Sequence, residues 1–486
     1  MAANHFDVLI IGAGLSGINA AVQLERQCPG KRYAILEARA GLGGTWDLFR
    51  YPGIRSDSDV HTMGYRFNPF HTGKLLASGS TLLNYLKKTA AEQGVDQHIR
   101  YRHKVKKVSW STEKKTWKVY INQDNNDVTE EFTCNFLWLC AGYYSYEQGY
   151  TPEFAGRADF TGPVIHPQEW TEEIEFRGKT VVVIGSGATA VTMVPAMAEQ
   201  AKNVIMLQRS PSYFFSFPEK DWLGNTLQKI FPGRLAYGMA RRAHMVFQQA
   251  VYRAARRFPK LTKRWLIRRV RKQLGTDYDV TTHFTPAYEP WEQRVCIIPA
   301  NDFFKQINAG KVDVVTDHIE RFTSSGILLK SGRQLAADMI VTATGFELNI
   351  LSDIDFVVDD KPVNFADTWT YKGLMVSDLP NMVNTFGYIN ATWTLRSELT
   401  ADYVCRLINF MDQAGVHQVT PRLRDTDQDM QPRPFLTGYS SGYMQRSLHR
   451  FPKQGDREPW LNPQIYRRDK KMILKQKFSD GVLEFE

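Results

Sequence analysis

The chain has 486 residues, 43% of them hydrophobic and 23% charged, the balance of a globular protein with core volume for two or three domains, and no uncharged apolar run is long enough to be a membrane span. Five cysteines (Cys28, Cys134, Cys140, Cys296 and Cys405) are scattered without a C-x-x-C pair, which argues against a redox disulfide or a zinc site, sets the expected metal at none, and suits a reducing cytoplasm. The net charge of +10 is local: residues 222–276 hold fourteen Lys or Arg and no Asp or Glu, which leaves about −4 for the remainder.

In chain order, the apolar stretch 8–21 lacks a basic leader and is broken by three glycines, so it reads as a buried strand and a glycine turn and not as a signal peptide. The strand is expected over 6–11. Gly12, Gly14 and Gly17 follow it as G-x-G-x-x-G, and a helical pattern begins at once. In such a turn the first glycine permits the bend, the second lets a pyrophosphate approach the backbone, and the third lets helix and strand pack closely. The helix N-terminus adds unpaired N–H groups and a positive dipole end. A second apolar run, 33–36, ends at Glu37, placed to hold ribose hydroxyls; an acid there favours FAD or NAD.

Residues 103–140 read as short strands with a polar turn at 122–127. The nucleotide pattern then recurs: a strand over 180–184, Gly185, Gly187 and Ala190 in the turn, a helix to about 201, and a strand over 204–208 ending at Arg209-Ser210. An arginine at that strand end can bond a 2′-phosphate, which implies NADP. Residues 219–275 read as helices with a break at 258–259, and strands return at 327–329 and 339–343. The tail after about residue 415 yields no assignment.

Phe160, Gly162, His166 and Trp170 stand at the spacing F-x-G-x-x-x-H-x-x-x-W. This resembles the fingerprint of the Baeyer–Villiger monooxygenases, class B flavoproteins, and departs from it at Thr171, where the family has Pro or Asp. Related N- and S-oxygenating enzymes carry Tyr where Trp170 stands. Gly43-Gly44-Thr45-Trp46, Tyr51-Pro52-Gly53 and Asp57 are similar to a second family pattern, and Asp338 with Ala343-Thr344-Gly345-Phe346 to a third. Leu48-Phe49-Arg50, the stretch 54–59 and Pro452 to Gly455 look like the short-N-terminus subgroup that includes the ethionamide-activating monooxygenases of mycobacteria.

The resemblance implies an α/β fold of two Rossmann-like dinucleotide-binding domains, for FAD and NADP, with a helical insertion in the NADP domain. The expected division is 1–146 and 350–486 for FAD, 147–215 and 291–349 for NADP, and 216–290 for the insertion. The cofactor-binding candidates are Gly12, Gly14, Ser16, Gly17, Glu37, Gly44, Thr45, Trp46, Asp47, Leu48, Arg55, Ser56, Asp57 and Val105 around the first unit. Around the second they are Gly185, Ser186, Gly187, Ala188, Thr189, Ala190, Arg209 and Ser210. The implied reaction is NADPH- and O2-dependent oxygen insertion into a small lipophilic ketone through a flavin C4a-peroxide, giving an ester or lactone, with sulfoxidation as a side activity.

By the same resemblance Arg294 is the catalytic cation that steadies the peroxide, and Asp57 the carboxylate that orients it. Gln293 stands where larger relatives have Lys, which puts more of the NADP phosphate on Arg209. His166 and Trp170 are expected to link the two units or simply to pack. The pocket is expected to draw on 288–294 and 388–395, with Trp393 facing the flavin. The basic segment 222–276 has two open readings, a helical cover over the active site and a peripheral contact with anionic membrane. Nucleic acid is not expected, because no recognition module accompanies the charge. Other readings of the chain are a flavin enzyme acting mainly on S or N, a disulfide reductase, disfavoured by the cysteine pattern, and a non-catalytic flavin-binding protein.

Overall fold

The computed structural model describes residues 4–123, 129–293, 295–349, 351 and 353–486. Strand β1 (His5–Ile11) pairs in parallel with β2 (Tyr33–Leu36) on one side and with Thr129–Leu139 on the other. Helix α1 (Leu15–Gln27) connects β1 to β2. Gly17 is required by the crossing: a Cβ there would lie 1.9 Å from the carbonyl oxygen of Gly12, so a larger residue would push α1 off the strand. His103–Ser111 and Thr116–Gln123 extend the same sheet as an antiparallel pair, Asp355–Val358 adds to it in parallel beside His103–Ser111, and Lys361–Pro362 forms its far edge. Of the polar turn expected at 122–127, residues 122 and 123 end the strand Thr116–Gln123 and residues 124–127 lie outside the described residues.

The second sheet is wholly parallel. Its order is Val164–Ile165, Met339–Thr342, β3 (Thr180–Ile184), β4 (Asn203–Gln208) and Val312–Thr316. Helix α2 (Ala188–Met197) connects β3 to β4. Val181, Val182 and Val183 are all fully buried, as a strand covered on both faces requires. The chain leaves the first sheet after Leu139 and returns through 343–354. These two crossings pair with each other as antiparallel strands, Tyr144–Gly149 with Phe346–Leu348.

The insertion leaves the second unit through Tyr213–Phe217 and re-enters it through Val295–Pro299, which lie side by side in parallel with Tyr213 opposite Val295. Between them are α3 (Trp222–Ile230), α4 (Gly233–Arg257) and α5 (Pro259–Leu274). The break expected at 258–259 is present. Phe258 takes φ −129° and ψ 60°, outside the helical region, and Pro259 opens α5 at a position where its missing N–H costs nothing. The insertion clasps the first unit through α4. Buried Arg241 donates to the carbonyls of His61 (2.9 Å) and Gly64 and pairs with Glu398 at 2.8 Å. Tyr237 Oη donates to the His61 carbonyl at 2.9 Å, and the Gln248 amide to Asp59 at 2.6 Å.

Helix α6 (Trp393–Ala414) packs on α1, where the Asn19 amide meets Ser397 Oγ at 3.2 Å. The tail that sequence left unassigned folds back over the first sheet. Val419–Pro421 pairs with Leu483–Phe485, and buried Trp460 donates its indole N–H to Asp427 at 2.9 Å.

Candidate active site

A cavity of about 340 Å³ lies between the two glycine turns. From the residues selected by sequence, Gly12, Gly14, Ser16, Glu37, Gly44, Thr45, Trp46, Arg55, Ser56, Asp57 and Val105 line it, joined from α2 by Ala188 and Thr189. Gly17 is packed beneath the turn. Asp47 does not line the cavity; it ties down Arg39 at 2.8 Å and Arg50 at 3.0 Å. Leu48 packs instead against the apolar core of the second unit. Ser186 donates from Oγ to the Ser210 carbonyl at 3.0 Å, which closes the second turn, while Arg209 and Ser210 stand exposed at the end of β4. Gly185, Gly187 and Ala190 form the turn and first helical residues beside them.

The cradles fit dinucleotides. Gly14 is the N-cap of α1 and Gly187 that of α2, and no described side chain caps either end, so both present N–H groups for phosphate oxygens. A Cβ on Gly187 would meet nothing within 4 Å. Glu37 is buried and accepts the N–H of Ala13 (2.7 Å) and of Arg39 (2.9 Å), which fixes its carboxyl in the cavity wall. Burial pushes that carboxyl above its ordinary value, and the two N–H groups only partly pull it back. Arg55 pairs with Asp302 at 3.0 Å through Nη1; its Nη2 is buried in the cavity wall without a partner among the described residues, a donor awaiting a polar ligand. Trp393 does face this cavity, stacked on Tyr143 at 5.1 Å with its indole N–H on Ser16 Oγ at 2.9 Å.

A second cavity of about 180 Å³ adjoins the first, and Asp57, Ser58, Ile297, Ile389 and Ala391 belong to both. Its walls are largely aromatic: Phe215, Phe217, Phe247, Tyr252, Trp265, Trp291 and Tyr439. Trp291, Ile389, Asn390 and Ala391 come from the stretches expected to shape a pocket. Phe247, Tyr252, Trp265 and Tyr439 were not found by sequence reasoning, nor were Tyr143, Tyr144 and Tyr146 in the first cavity. The last three had one available signal, a run of tyrosines directly after the strand end at Cys140. Arg294 lies outside the described residues, so its pairing with Asp57 has no geometry here.

His166 lines neither cavity. It is buried, with Nε2 3.0 Å from the Gly345 carbonyl and Nδ1 accepting the Gln168 N–H at 3.2 Å. Burial lowers its pKa, partly countered by the hydrogen bond to the Gly345 carbonyl. It therefore pins one crossing segment to the other. Phe160 and Trp170 are core residues, Trp170 edge-on to Phe176 at 5.9 Å, and a Cβ on Gly162 would stand 2.6 Å from the Asp338 carbonyl.

His61, Asp221 and His244 place three donor atoms within 4.8 Å of one another, a set that sequence reasoning did not foresee. In the structure Asp221 stands between the two imidazoles, while His61 Nδ1 and His244 Nε2 make no hydrogen bond among the described residues. His61 Nε2 hydrogen-bonds Asp221, His244 lies 3.4 Å from the other carboxylate oxygen, and that oxygen also takes the Gly224 N–H at 3.1 Å to cap α3. The arrangement is an ion network joining the insertion to the first unit.

A fold of two dinucleotide cradles meeting over a chamber, with an aromatic chamber beside it, defines a two-cofactor oxidoreductase. Residues 5–409 match the flavin-binding monooxygenase-like family. The chain is 48% identical over 482 residues to the FAD-containing monooxygenase EthA of Mycobacterium tuberculosis, covering 99% of this chain and 98% of that one. It superposes on a steroid monooxygenase bound to NADP with a TM-score of 0.73 and 25% identity, covering 86% of this chain and 88% of that one. On OTEMO in complex with FAD and NADP the TM-score is 0.76 at 21% identity, over 99% of each chain, a likeness of fold. The chain belongs to the flavin-binding monooxygenase-like family and is a flavin-dependent monooxygenase, in agreement with the resemblance its motifs carry.

Proposed function

We propose that this monooxygenase is of the Baeyer–Villiger type, inserting one oxygen atom between the carbonyl carbon and a neighbouring carbon of a small lipophilic ketone. The observation that supports this is the junction at Asp57, where the nucleotide-lined chamber opens into the aromatic one. FAD and NADP(H) are the cofactors: the cradle residues Gly12, Gly14 and Glu37 would hold the flavin nucleotide, which when bound and reduced by NADPH would supply O2 activation, one oxygen atom going to the substrate and the other to water. Ketone, O2, NADPH and a proton thus give ester or lactone, NADP+ and water.

The remaining work falls to side chains. Glu37 holds one ribose and Arg209 the 2′-phosphate of the other cofactor. Attack on a carbonyl places negative charge on oxygen, and Arg294, which cannot lose its proton, supplies the fixed countercharge. Asp57 orients that guanidinium from the junction. The aromatic walls seat the ketone and keep water out, which strengthens the charge interaction. His166 lies outside both cavities, so it takes no part as a general base. Sulfides reaching the same place are oxidised as a side reaction.

The test supplies NADPH, 18O2 and a panel of ketones and sulfides to the purified holoenzyme. Esters or lactones carrying one 18O are expected. Sulfoxide or N-oxide formation with no ester from any ketone would assign the enzyme to the S- and N-oxygenating branch instead. Arg294→Ala should retain flavin reduction by NADPH and lose ester formation by about a hundredfold or more; a variant that still makes ester at the original rate removes Arg294 from the mechanism.

A further inference from the structure

Eleven described large hydrophobic side chains are exposed, and nine of them fall within 222–265, on the same three helices that hold the excess positive charge. That concentration marks a built surface, since exposed apolar residues elsewhere on the chain occur singly. On α4, Leu235, Met239, Arg242, Val246 and Arg253 follow at intervals of three, four or seven residues and so share one outward stripe. On α5, Leu261, Trp265, Arg268 and Lys272 do the same. The opposite faces carry Ala236, Ala240, Leu266 and Val270, which are buried. Trp222 at the start of α3 is 70% exposed, and Phe258 at the α4–α5 corner 58%.

We infer that this face docks on an anionic lipid bilayer, with the α3–α5 apolar side chains entering the headgroup boundary and the interleaved cations holding lipid phosphates. The charge complementarity is one-sided: no acid occurs in 222–276 to repel phosphate. The positive surface continues beyond the insertion, where Arg253 joins Arg467, Lys470, Lys471 and Lys475 around a concavity with Ile465. A second, independent observation fixes the purpose. Phe247 and Trp265 are 50% and 45% exposed on this face and also line the aromatic cavity, so that cavity opens where the bilayer would lie. A lipophilic substrate dissolved in the membrane therefore has a route to the site that avoids water. The docking is independent of the ketone reading, whereas the entry route rests on it.

Flotation of the holoenzyme with phosphatidylglycerol–phosphatidylcholine vesicles separates the two. Wild-type protein is expected to float with anionic vesicles at about 0.05 M NaCl, to be released at about 0.5 M, and to ignore pure phosphatidylcholine. Arg242→Glu, Arg268→Glu, Arg271→Glu and Lys272→Glu together should weaken binding by a hundredfold or more, on the order of what four reversed charges remove. Trp222→Ser, Leu235→Ser and Leu261→Ser together should weaken it about tenfold or more, with thermal melting and turnover of a short soluble substrate unchanged and turnover of a vesicle-borne long-chain substrate reduced. Failure of the wild type to float at low salt overturns the inference. So does charge dependence with no loss in the serine variant, which would make the face a polyanion site. A dimer in sedimentation that the serine variant abolishes, with no lipid binding, would assign the face to a second copy. Equal loss of soluble and vesicle-borne turnover would refute the entry route alone.

Discussion

Arg209 and Glu37 occupy the same place in two copies of one device, the last position of a β-α-β unit, and differ in sign. Glu37 is buried and fixed by two backbone N–H groups, while Arg209 is exposed at the end of β4. A charge-assisted contact to a phosphate contributes about 1.5–3 kcal/mol. Arg209→Ala should therefore raise KM for NADPH by about ten- to a hundredfold and leave kcat and the KM for NADH close to their original values, as steady-state oxidation of the two nucleotides would show. An unchanged NADPH-to-NADH preference would mean that another residue reads the phosphate.

At the scale of elements, the insertion is held by buried polar contacts, and the His61–Asp221–His244 network gives that attachment a pH dependence. Burial pushes the Asp221 carboxyl up, but His244 and His61 and the Gly224 N–H more than offset this, so its pKa lies below the ordinary 3.8. Burial lowers the His244 pKa, and Asp221 with the charge of Asp59 more than restores it, above the ordinary 6.5. The Asp221 contribution is present above about pH 4 and is lost on acidification; the His244 contribution is full below about pH 6.5 and is lost as pH rises through its raised folded value. His71, whose ring centre is 6.1 Å from that of His61, and Arg241 on the His61 carbonyl complete the surroundings. Hydrogen exchange in 222–274 should accordingly be slowest near pH 5–6 and quicken above pH 7 beyond the intrinsic chemical trend. Asp221→Asn should destabilise the insertion by about 1–3 kcal/mol and erase that alkaline limb; a limb that persists would place the titration elsewhere.

What could be read from sequence follows the same division. The glycine turns, the strand ends at Glu37 and Arg209, and the break at Phe258-Pro259 are dictated by requirements within a few residues, and each stands where it was expected. Tyr252, Trp265 and Tyr439 escaped notice because they become neighbours only when α4, α5 and the C-terminal tail close on one another. Asp47 and Leu48 sat inside a recognised motif, yet their side chains turn away from the cavity, one to Arg39 and Arg50 and the other to an apolar core. The tail has no clear periodicity because its structure comes from docking on a sheet formed hundreds of residues earlier.

For the whole molecule, the two nucleotide units meet through a pair of crossing strands, and His166 fastens one crossing to the other at Gly345. If that hydrogen bond sets how the second cradle faces the first, its loss should show in hydride transfer. A misplacement of about 1 Å between reacting atoms costs on the order of a hundredfold in rate. His166→Ala should keep FAD occupancy and slow flavin reduction by NADPH at least about tenfold in stopped-flow measurements, and His166→Gln, which can still donate to Gly345, should recover part of the rate. Full-speed reduction in the alanine variant would leave His166 a packing residue.

The insertion begins and ends on strands that touch, Tyr213 beside Val295. Because the two strands run parallel, the exit at Phe217 and the re-entry at Val295 lie at opposite ends of the pair, so any shorter connection would still have to cross back over about 13 Å. It would also have to meet Asp59 and Glu398 on the first unit and to refill the core of the second, where Val270, Val280 and Phe284 are buried.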